Sequence, residues 1–425
     1  MNQNTLQNKD FSKLGILPEM LKRLNELKFV QPTPIQFKAI PIANAGQDVV
    51  GIAQTGSGKT LAFSIPLVQY LTTTKKIGLI LLPTRELAIQ VEETLKKIAK
   101  PFNKRTVLIM GGVNSSPQAK LLKHKPEIII ATPGRLIDHM EQGNITLNRV
   151  GMLVLDEADR MLDMGFAPQL KKILAQIPSE RRTMLFSATM PDRITEITHE
   201  FMSNPLRIEV APPGTTADKI EQEVIMVEKK DKMGLLKKIL NEHKGSILIF
   251  TRTKFGAKRI AKDLKIAGHT VEELHSNRSQ NQRQNALKGF ASGYYRILVA
   301  TDIAARGIDV KHLELVINFD LPTQAEDYTH RIGRTGRAGR SGKAISFAEY
   351  DEQHDIALIQ EVINMTLPIR SLQGVKLEDV KGSRNYTKKK GPAQRGNRST
   401  HNRSLNSKRS NKKHNSRNSS KRRSS

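Results

Sequence analysis

The sequence predicts a parallel α/β protein of two successive lobes followed by a disordered basic C-terminal tail, and three observations predict it. Short β-branched runs alternate with amphipathic, helix-period segments. The alternation stops at Ala211-Pro212-Pro213-Gly214-Thr215-Thr216, a turn-rich stretch without periodicity, and then restarts. From about Lys381 apolar residues nearly vanish and Asn, Ser, Arg and Lys dominate, so too little apolar surface is available to offset the entropy of ordering. The expected boundaries are a first lobe at 1–210, a linker at 211–219, a second lobe at 220–370 and the tail at 371–425.

In the first lobe the expected strands are 48–52, 77–82, 107–110, 128–131, 152–155, 183–186 and 207–210. All but the last, Arg207-Ile208-Glu209-Val210, are short, largely apolar runs, as strands covered on both faces require. In the second lobe they are 223–227, 247–250, 297–300, 315–318 and 344–347, with amphipathic helices between. Two units of similar size point to two nucleotide-binding-type lobes facing each other.

Bulk properties narrow the class. A chain of 425 residues holds two or three domains. Its formal charge of +28 calls for a polyanionic partner, most simply nucleic acid. Residues 381–425 carry sixteen Lys and Arg and no acid, leaving +12 for the rest. With no cysteine, disulfides and thiolate metal sites are excluded. No run of about 18 apolar residues occurs, so no membrane partner is expected and a reducing, cytoplasmic location is the default.

Two segments carry the chemistry of the first lobe. Ala53-Gln54-Thr55-Gly56-Ser57-Gly58-Lys59-Thr60 follows a strand and opens a helix, with alanine where the phosphate-loop pattern begins with glycine. In that setting backbone N–H groups and the helix N-terminus meet phosphates. Gly56 and Gly58 permit the tight path, Lys59 reaches the β- and γ-phosphates, and the Thr60 hydroxyl ligates Mg2+. Asp156-Glu157-Ala158-Asp159 ends an apolar run, at the carboxyl edge where open parallel sheets place their ligands. Asp156 is assigned to Mg2+ and Glu157 to the attacking water, a division of labour that phosphoryl transfer needs. Together, in this order, they point to ATP hydrolysis. In the second lobe, His330-Arg331-Ile332-Gly333-Arg334-Thr335-Gly336-Arg337 spaces arginines through a Gly-rich segment. That suits a clamp on a γ-phosphate, with a grip on an RNA backbone as the lesser alternative.

Read in order, residues 11–347 resemble the DEAD-box ATP-dependent RNA helicases. The matching segments are Phe29-Val30-Gln31-Pro32-Thr33-Pro34-Ile35-Gln36, the phosphate loop, Pro83-Thr84-Arg85-Glu86-Leu87-Ala88, Gly111-Gly112 and Thr132-Pro133-Gly134-Arg135. They continue with Asp156 to Asp159, Ser187-Ala188-Thr189, Gln280 with Arg283, Ala300-Thr301-Asp302, Arg306-Gly307-Ile308-Asp309 and the His330 segment. The short N-terminus, compact core and basic tail look most like the bacterial RhlE-like branch.

The resemblance implies two tandem RecA-like parallel-sheet domains and an RNA-stimulated ATPase that unwinds short duplexes or remodels ribonucleoprotein. An ATP-gated RNA clamp or annealer is the alternative, and a DNA translocase a third reading. Gln36 would read the adenine edge, Phe29 would stack on the ring, and Phe11 matches the isolated upstream aromatic. Asp309 resembles the ribose-contacting carboxylate, and Arg334 and Arg337 the two arginine fingers. Ser187 and Thr189, with Asp159 and His330, resemble the segment coupling the ATP site to the RNA site. For RNA the resemblance points to Arg85, Gly112, Thr132, Arg135, Arg283, Thr301 and Gly307, groups suited to phosphates and 2′-hydroxyls rather than base edges. The tail is expected to act as a nonspecific RNA tether, and ribosomal or RNA-degradation machinery as protein partners. Two positions depart from the pattern. Lys28 stands where the family usually has a small residue, and His275-Ser276-Asn277-Arg278 lacks the Gly-Asp pair that often follows that histidine.

Overall fold

The computed structural model describes residues 10–54, 56–210, 220–305, 313–336 and 342–371. The expected linker, and the expected tail from residue 372 onward, lie outside them, while the tail's first residue, Ser371, belongs to the last strand of the second lobe. The first lobe has strands β1 (Val49–Ile52), β2 (Ile77–Leu81), β3 (Thr106–Ile109), β4 (Ile128–Ala131), β5 (Val150–Leu155), β6 (Arg182–Ser187) and β7 (Leu206–Glu209). The second has β8 (Ile220–Met226), β9 (Ile247–Phe250), β10 (Val271–Leu274), β11 (Ile297–Ala300), β12 (Leu315–Asn318), β13 (Gly342–Ala348) and β14 (Ile369–Ser371).

Both sheets are parallel throughout, with orders β3-β4-β2-β5-β6-β1-β7 and β10-β11-β9-β12-β13-β8-β14. Renumbering the second lobe from its own first strand reproduces the first order, so one topology occurs twice. Successive residues of each strand feed opposite apolar layers. Val49, Val154 and Phe186 join the cluster on one face of the first sheet, while Val50, Leu153 and Leu185 join the other. Leu248 and Ile249 divide in the same way between the two layers of the second sheet.

Two strands escape the sequence reading, β10 and β14, and both are edge strands of the second sheet. Edges are where natural sheets carry charge to block further pairing, so the apolar signal fades there. Val271-Glu272-Glu273-Leu274 holds two glutamates, and the carboxylate of Glu272 accepts from Lys265 (3.4 Å) and from Arg278.

The order of the first sheet sets the site. Strands β5, β6 and β1 are neighbours, so the segments that follow them converge at one carboxyl edge. The backbone closes the arrangement: Ala53 N donates to Ser187 O (2.9 Å) and Asp156 N to Leu81 O (3.1 Å).

Lys28 has a conformational cause for standing out. The helix Pro18–Glu26 ends with Lys28 N donating to Asn25 O and Phe29 N to Leu24 O, both at 2.9 Å, the paired bonds of a Schellman ending. Lys28 takes the left-handed position at φ 63°, where glycine carries no steric penalty. Lys28→Gly is expected to stabilise the chain by up to about 1 kcal/mol, the relieved strain exceeding glycine's added entropy. Urea unfolding checks this, and a clear loss of stability would mean that the lysine side chain contributes.

Candidate active site

The loop after β1 turns through Gly56 (φ 88°) and Gly58 (φ 92°) before the helix Lys59–Thr73 begins. Gly58 has a second constraint. A Cβ there would lie 2.5 Å from Gln36 Nε2 and 2.9 Å from Thr33 Oγ1. Gln36 is buried, donates from Nε2 to Gly58 O (2.9 Å), and accepts at Oε1 from Thr33 N (2.9 Å). The expected adenine-reading side chain is thus already bonded to the phosphate loop. Phe29 lies partly open to solvent, whereas Phe11 is a core side chain, 3% exposed in the cluster that holds Leu14 and Ile35. Thr55 lies outside the described residues.

Lys59 is buried, with Nζ donating to Ala53 O (3.0 Å) and lying 3.9 Å from Asp156 Oδ1. Thr60 beside it is half-buried, and the buried hydroxyl of Ser57 has no hydrogen-bond partner among the described residues. A buried ammonium, an orphan hydroxyl and glycine-shaped backbone at a helix start form a setting for an anion.

The acidic segment after β5 is almost wholly buried. Asp156, Glu157 and Asp159 are 2–3% exposed. Burial pushes the Asp156 carboxyl up to about 6, against the pull of the Lys59 ammonium. Burial also works to raise Glu157, but the charges of Arg160, Lys59 and Arg334 outweigh it and hold that carboxyl below its ordinary range. Asp159 is likewise held low against its burial, by Lys59, Arg160, His330 and its hydrogen bonds. Glu157 sits in the left-handed region at φ 53°, a conformation costly for a residue with a Cβ. Asp159 Oδ2 accepts from Ala188 N (2.9 Å), Thr189 N (3.0 Å) and Thr189 Oγ1 (3.2 Å). The segments after β5 and β6 are therefore tied by one carboxylate. Ser187 is fully buried and its hydroxyl has no partner among the described residues.

The second lobe presents a cleft lined by Phe250, Asp302, Asp327, His330, Arg331 and Arg334. Arg331 is the brace beneath it. Its guanidinium is 1% exposed, bonds Asp302 through Nε (2.5 Å) and Nη2 (2.7 Å), and reaches Asn318 Oδ1 (3.2 Å) and Asp320 O (2.6 Å). Arg334 is buried, with Nε donating to His330 O (3.1 Å). Its charge, like that of His330, is felt by the acidic segment of the first lobe. Asp309, Arg337 and Gly307 lie outside the described residues.

The residues expected to meet RNA are only partly brought together. Gly112 (φ 75°) carries the Arg85 guanidinium directly over its Cα, where a Cβ would collide with it. Burial and the neighbouring Arg283 charge lower the Arg85 pKa, partly offset by Glu86. Arg135 donates to Val113 O (3.0 Å) and pairs with Asp138 (3.2 Å). Thr132 leads into the helix Pro133–Glu141, and Thr301 N is bonded to Leu274 O (3.2 Å). Arg283 is different: it is buried and committed to Glu86, Nε to Oε1 at 2.9 Å and Nη2 to Oε2 at 2.8 Å. Gln280 Nε2 reaches the same carboxylate at 3.3 Å. Glu86, Arg331, Asp302 and Arg160 were not singled out as functional in the sequence. Each lies within or beside a quoted segment, but nothing in the spacing says that a glutamate of one lobe meets an arginine almost two hundred residues later.

Comparison with known proteins matches this arrangement. The family described as DEAD/DEAH box helicase matches residues 33–197, and the helicase conserved C-terminal domain matches residues 231–339. The chain is 43% identical over 377 residues to the ATP-dependent rRNA helicase RRP3 of Debaryomyces hansenii, covering 88% of this chain and 77% of that one. It is 45% identical over 362 residues to RRP3 of Scheffersomyces stipitis, covering 84% and 75%. Among solved structures it resembles S. cerevisiae Dbp5 bound to RNA and ADP BeF3, at TM-score 0.77 and 30% identity over 86% of this chain and 96% of that one. Mss116p bound to ssRNA and AMP-PNP gives TM-score 0.76 and 30% identity over 86% and 78%.

Proposed function

Because the chain belongs to the DEAD/DEAH box helicase family, we propose that its two lobes form one composite site in which RNA and ATP together permit hydrolysis. It is an ATP-dependent RNA helicase. The observation that carries the composite site is electrostatic and geometric. Lys59, Asp156 and Glu157 converge at the edge of the first sheet, and the Arg334 charge of the second lobe reaches Glu157.

Phosphates lie on the N–H groups of Ala53 to Thr60, with Lys59 on the β- and γ-groups. Gln36 and Phe29 take the adenine, Asp309 the ribose, and Phe11 supports that end from the core. Thr60 and Asp156 are hard oxygen donors beside a buried ammonium, and that donor set fits Mg2+, which is held by one or two protein oxygens plus substrate phosphates. When bound, Mg2+ neutralises charge developing on the phosphate oxygens. Glu157 orients water toward the γ-phosphorus and takes up its proton as the bond to the bridging oxygen breaks and ADP leaves. Arg334 and Arg337 stabilise the charge on the transferred group. Asp159, joined to Ala188 and Thr189, relays the state of the ATP site through Ser187 and His330 to the RNA face.

RNA lies along Arg85, Gly112, Thr132, Arg135, Thr301 and Gly307, and closing on it bends one strand. A nucleic-acid stacking step is worth on average about 1.4 kcal/mol, so local opening of a few pairs is within reach and a long duplex at once is not. The yeast relatives support a ribosomal-RNA substrate and a role in ribosome biogenesis. They lend no support to the RhlE-like branch, for which the chain's own layout remains the basis. Among the described residues no helix is long and apolar enough to cross a membrane, and we place the protein in the cytoplasm.

The Glu86–Arg283 pair gives this reading a handle. A buried pair broken from one side costs about 3–5 kcal/mol where it is formed. If it forms with closure, Arg283→Ala should raise the RNA concentration for half-maximal ATPase stimulation about 10²-fold, with most of the saturated rate retained. An unchanged RNA requirement would remove the pair from closure. The experiment that tests the whole proposal is steady-state ATP hydrolysis alone, with single-stranded RNA and with matched DNA. Stimulation by RNA but not by DNA is expected, and high activity without nucleic acid would overturn it.

A further inference from the structure

Glu157 does not stand alone in its buried pocket. Arg160, three residues on in the helix Ala158–Asp163, is 1% exposed and donates from Nη1 to Glu157 Oε2 at 2.6 Å. Its other terminal nitrogen, Nη2, is buried with no hydrogen-bond partner among the described residues. Glu157 meanwhile holds a left-handed backbone that a residue with a Cβ adopts only under constraint. A strained backbone, an orphaned donor and an acid and base removed from water would each weaken the fold if stability were the only criterion. All three meet at one carboxylate.

We propose that Arg160 is a positioning residue that fixes the orientation of the Glu157 carboxylate for the attacking water. The inference rests on the reading of Glu157 given above. A carboxylate at the end of a two-carbon stem rotates about its last bond unless something holds it, because that terminal torsion is soft. The rigid planar guanidinium holds it on one side, and the short helix fixes the arginine relative to the turn that carries Glu157. Among the described residues, other charges facing Glu157 are Lys59 from the helix after the phosphate loop, the adjacent Asp156, Asp159 from the same helix as Arg160, and Arg334 from the second lobe. Arg160 meets the carboxylate at hydrogen-bond distance with a planar donor carried three residues along the same turn. Its contribution is therefore directional, beyond that of a positive charge nearby.

The test is kinetic, on the full chain with saturating single-stranded RNA. Arg160→Met should lower kcat for ATP about 10²-fold, the scale of a misplaced catalytic group, with KM for ATP within about threefold of the parent. Arg160→Lys keeps the charge without the planar fork and should be nearly as slow. In a Glu157→Gln background, under single-turnover conditions, Arg160→Met should cost less than about threefold more, because the two residues act through one contact. Affinity for RNA with AMP-PNP, and the thermal midpoint, report whether each variant still folds and closes. A near-parental rate for Arg160→Lys would overturn the directional role. So would a full 10²-fold further loss in the Glu157→Gln background, which would mark a general structural defect. A near-parental rate for Glu157→Gln alone would instead overturn the reading of Glu157 itself.

Discussion

Arg334→Ala is expected to lower the RNA-saturated rate of ATP hydrolysis by about 10³–10⁵-fold, the range for removal of an arginine finger. That corresponds to roughly 4–7 kcal/mol of transition-state stabilisation. The size follows from where the side chain lies. Arg334 is 4% exposed, its Nε is fixed on His330 O, and its charge already bears on Glu157. A preorganised cation in a site shielded from water acts on developing charge without reorganising. The competing role, a grip on the RNA backbone, predicts a different pattern: a raised RNA requirement with saturated turnover nearly intact. Steady-state rates across an RNA titration separate the two. Arg334→Lys should recover little, because a flexible ammonium cannot reproduce two donors in a plane.

Glu157→Gln should cost about 10²–10⁴-fold in the same assay, the usual contribution of a positioned general base. The amide is nearly isosteric, so binding of AMP-PNP together with RNA should persist and trap the closed state. Stability should fall by about 1–3 kcal/mol, because Arg160 then faces a neutral acceptor while remaining buried. Quenched-flow hydrolysis and a thermal melt on one preparation measure both. Normal turnover with a lowered melting point would leave Glu157 a structural acid and move the base elsewhere.

Much of this was legible along the chain. The twelve strands read from the sequence include all ten that have a neighbour on each side in their sheet, where burial writes itself into the residues, and the two edge strands of the first sheet, β3 and β7. The phosphate loop and the acidic segment were readable because their chemistry needs particular residue types at short spacing. Lys28 was visible as a departure, and its left-handed φ supplies the physical cause. Phe11 was readable as an aromatic at the right distance but not as a core side chain, since its partners Leu14, Met20 and Ile35 are gathered from separate helical segments.

By itself the sequence determined the two-lobe parallel architecture, the nucleotide chemistry and the polyanionic partner, all of which follow from local pattern, short motifs or summed charge. Tertiary structure alone decided which groups meet. It set β10 and β14 on the edges, where charge hides a strand's apolar signal. It bonded Gln36 to Gly58, joined Glu86 to Arg283, braced Arg331 on Asp302, and brought the Arg334 charge to Glu157. These pairings depend on strand order and on the meeting of two lobes, and the energy of a charge depends on how much water the fold removes around it. Neither quantity is a property of any short stretch of chain.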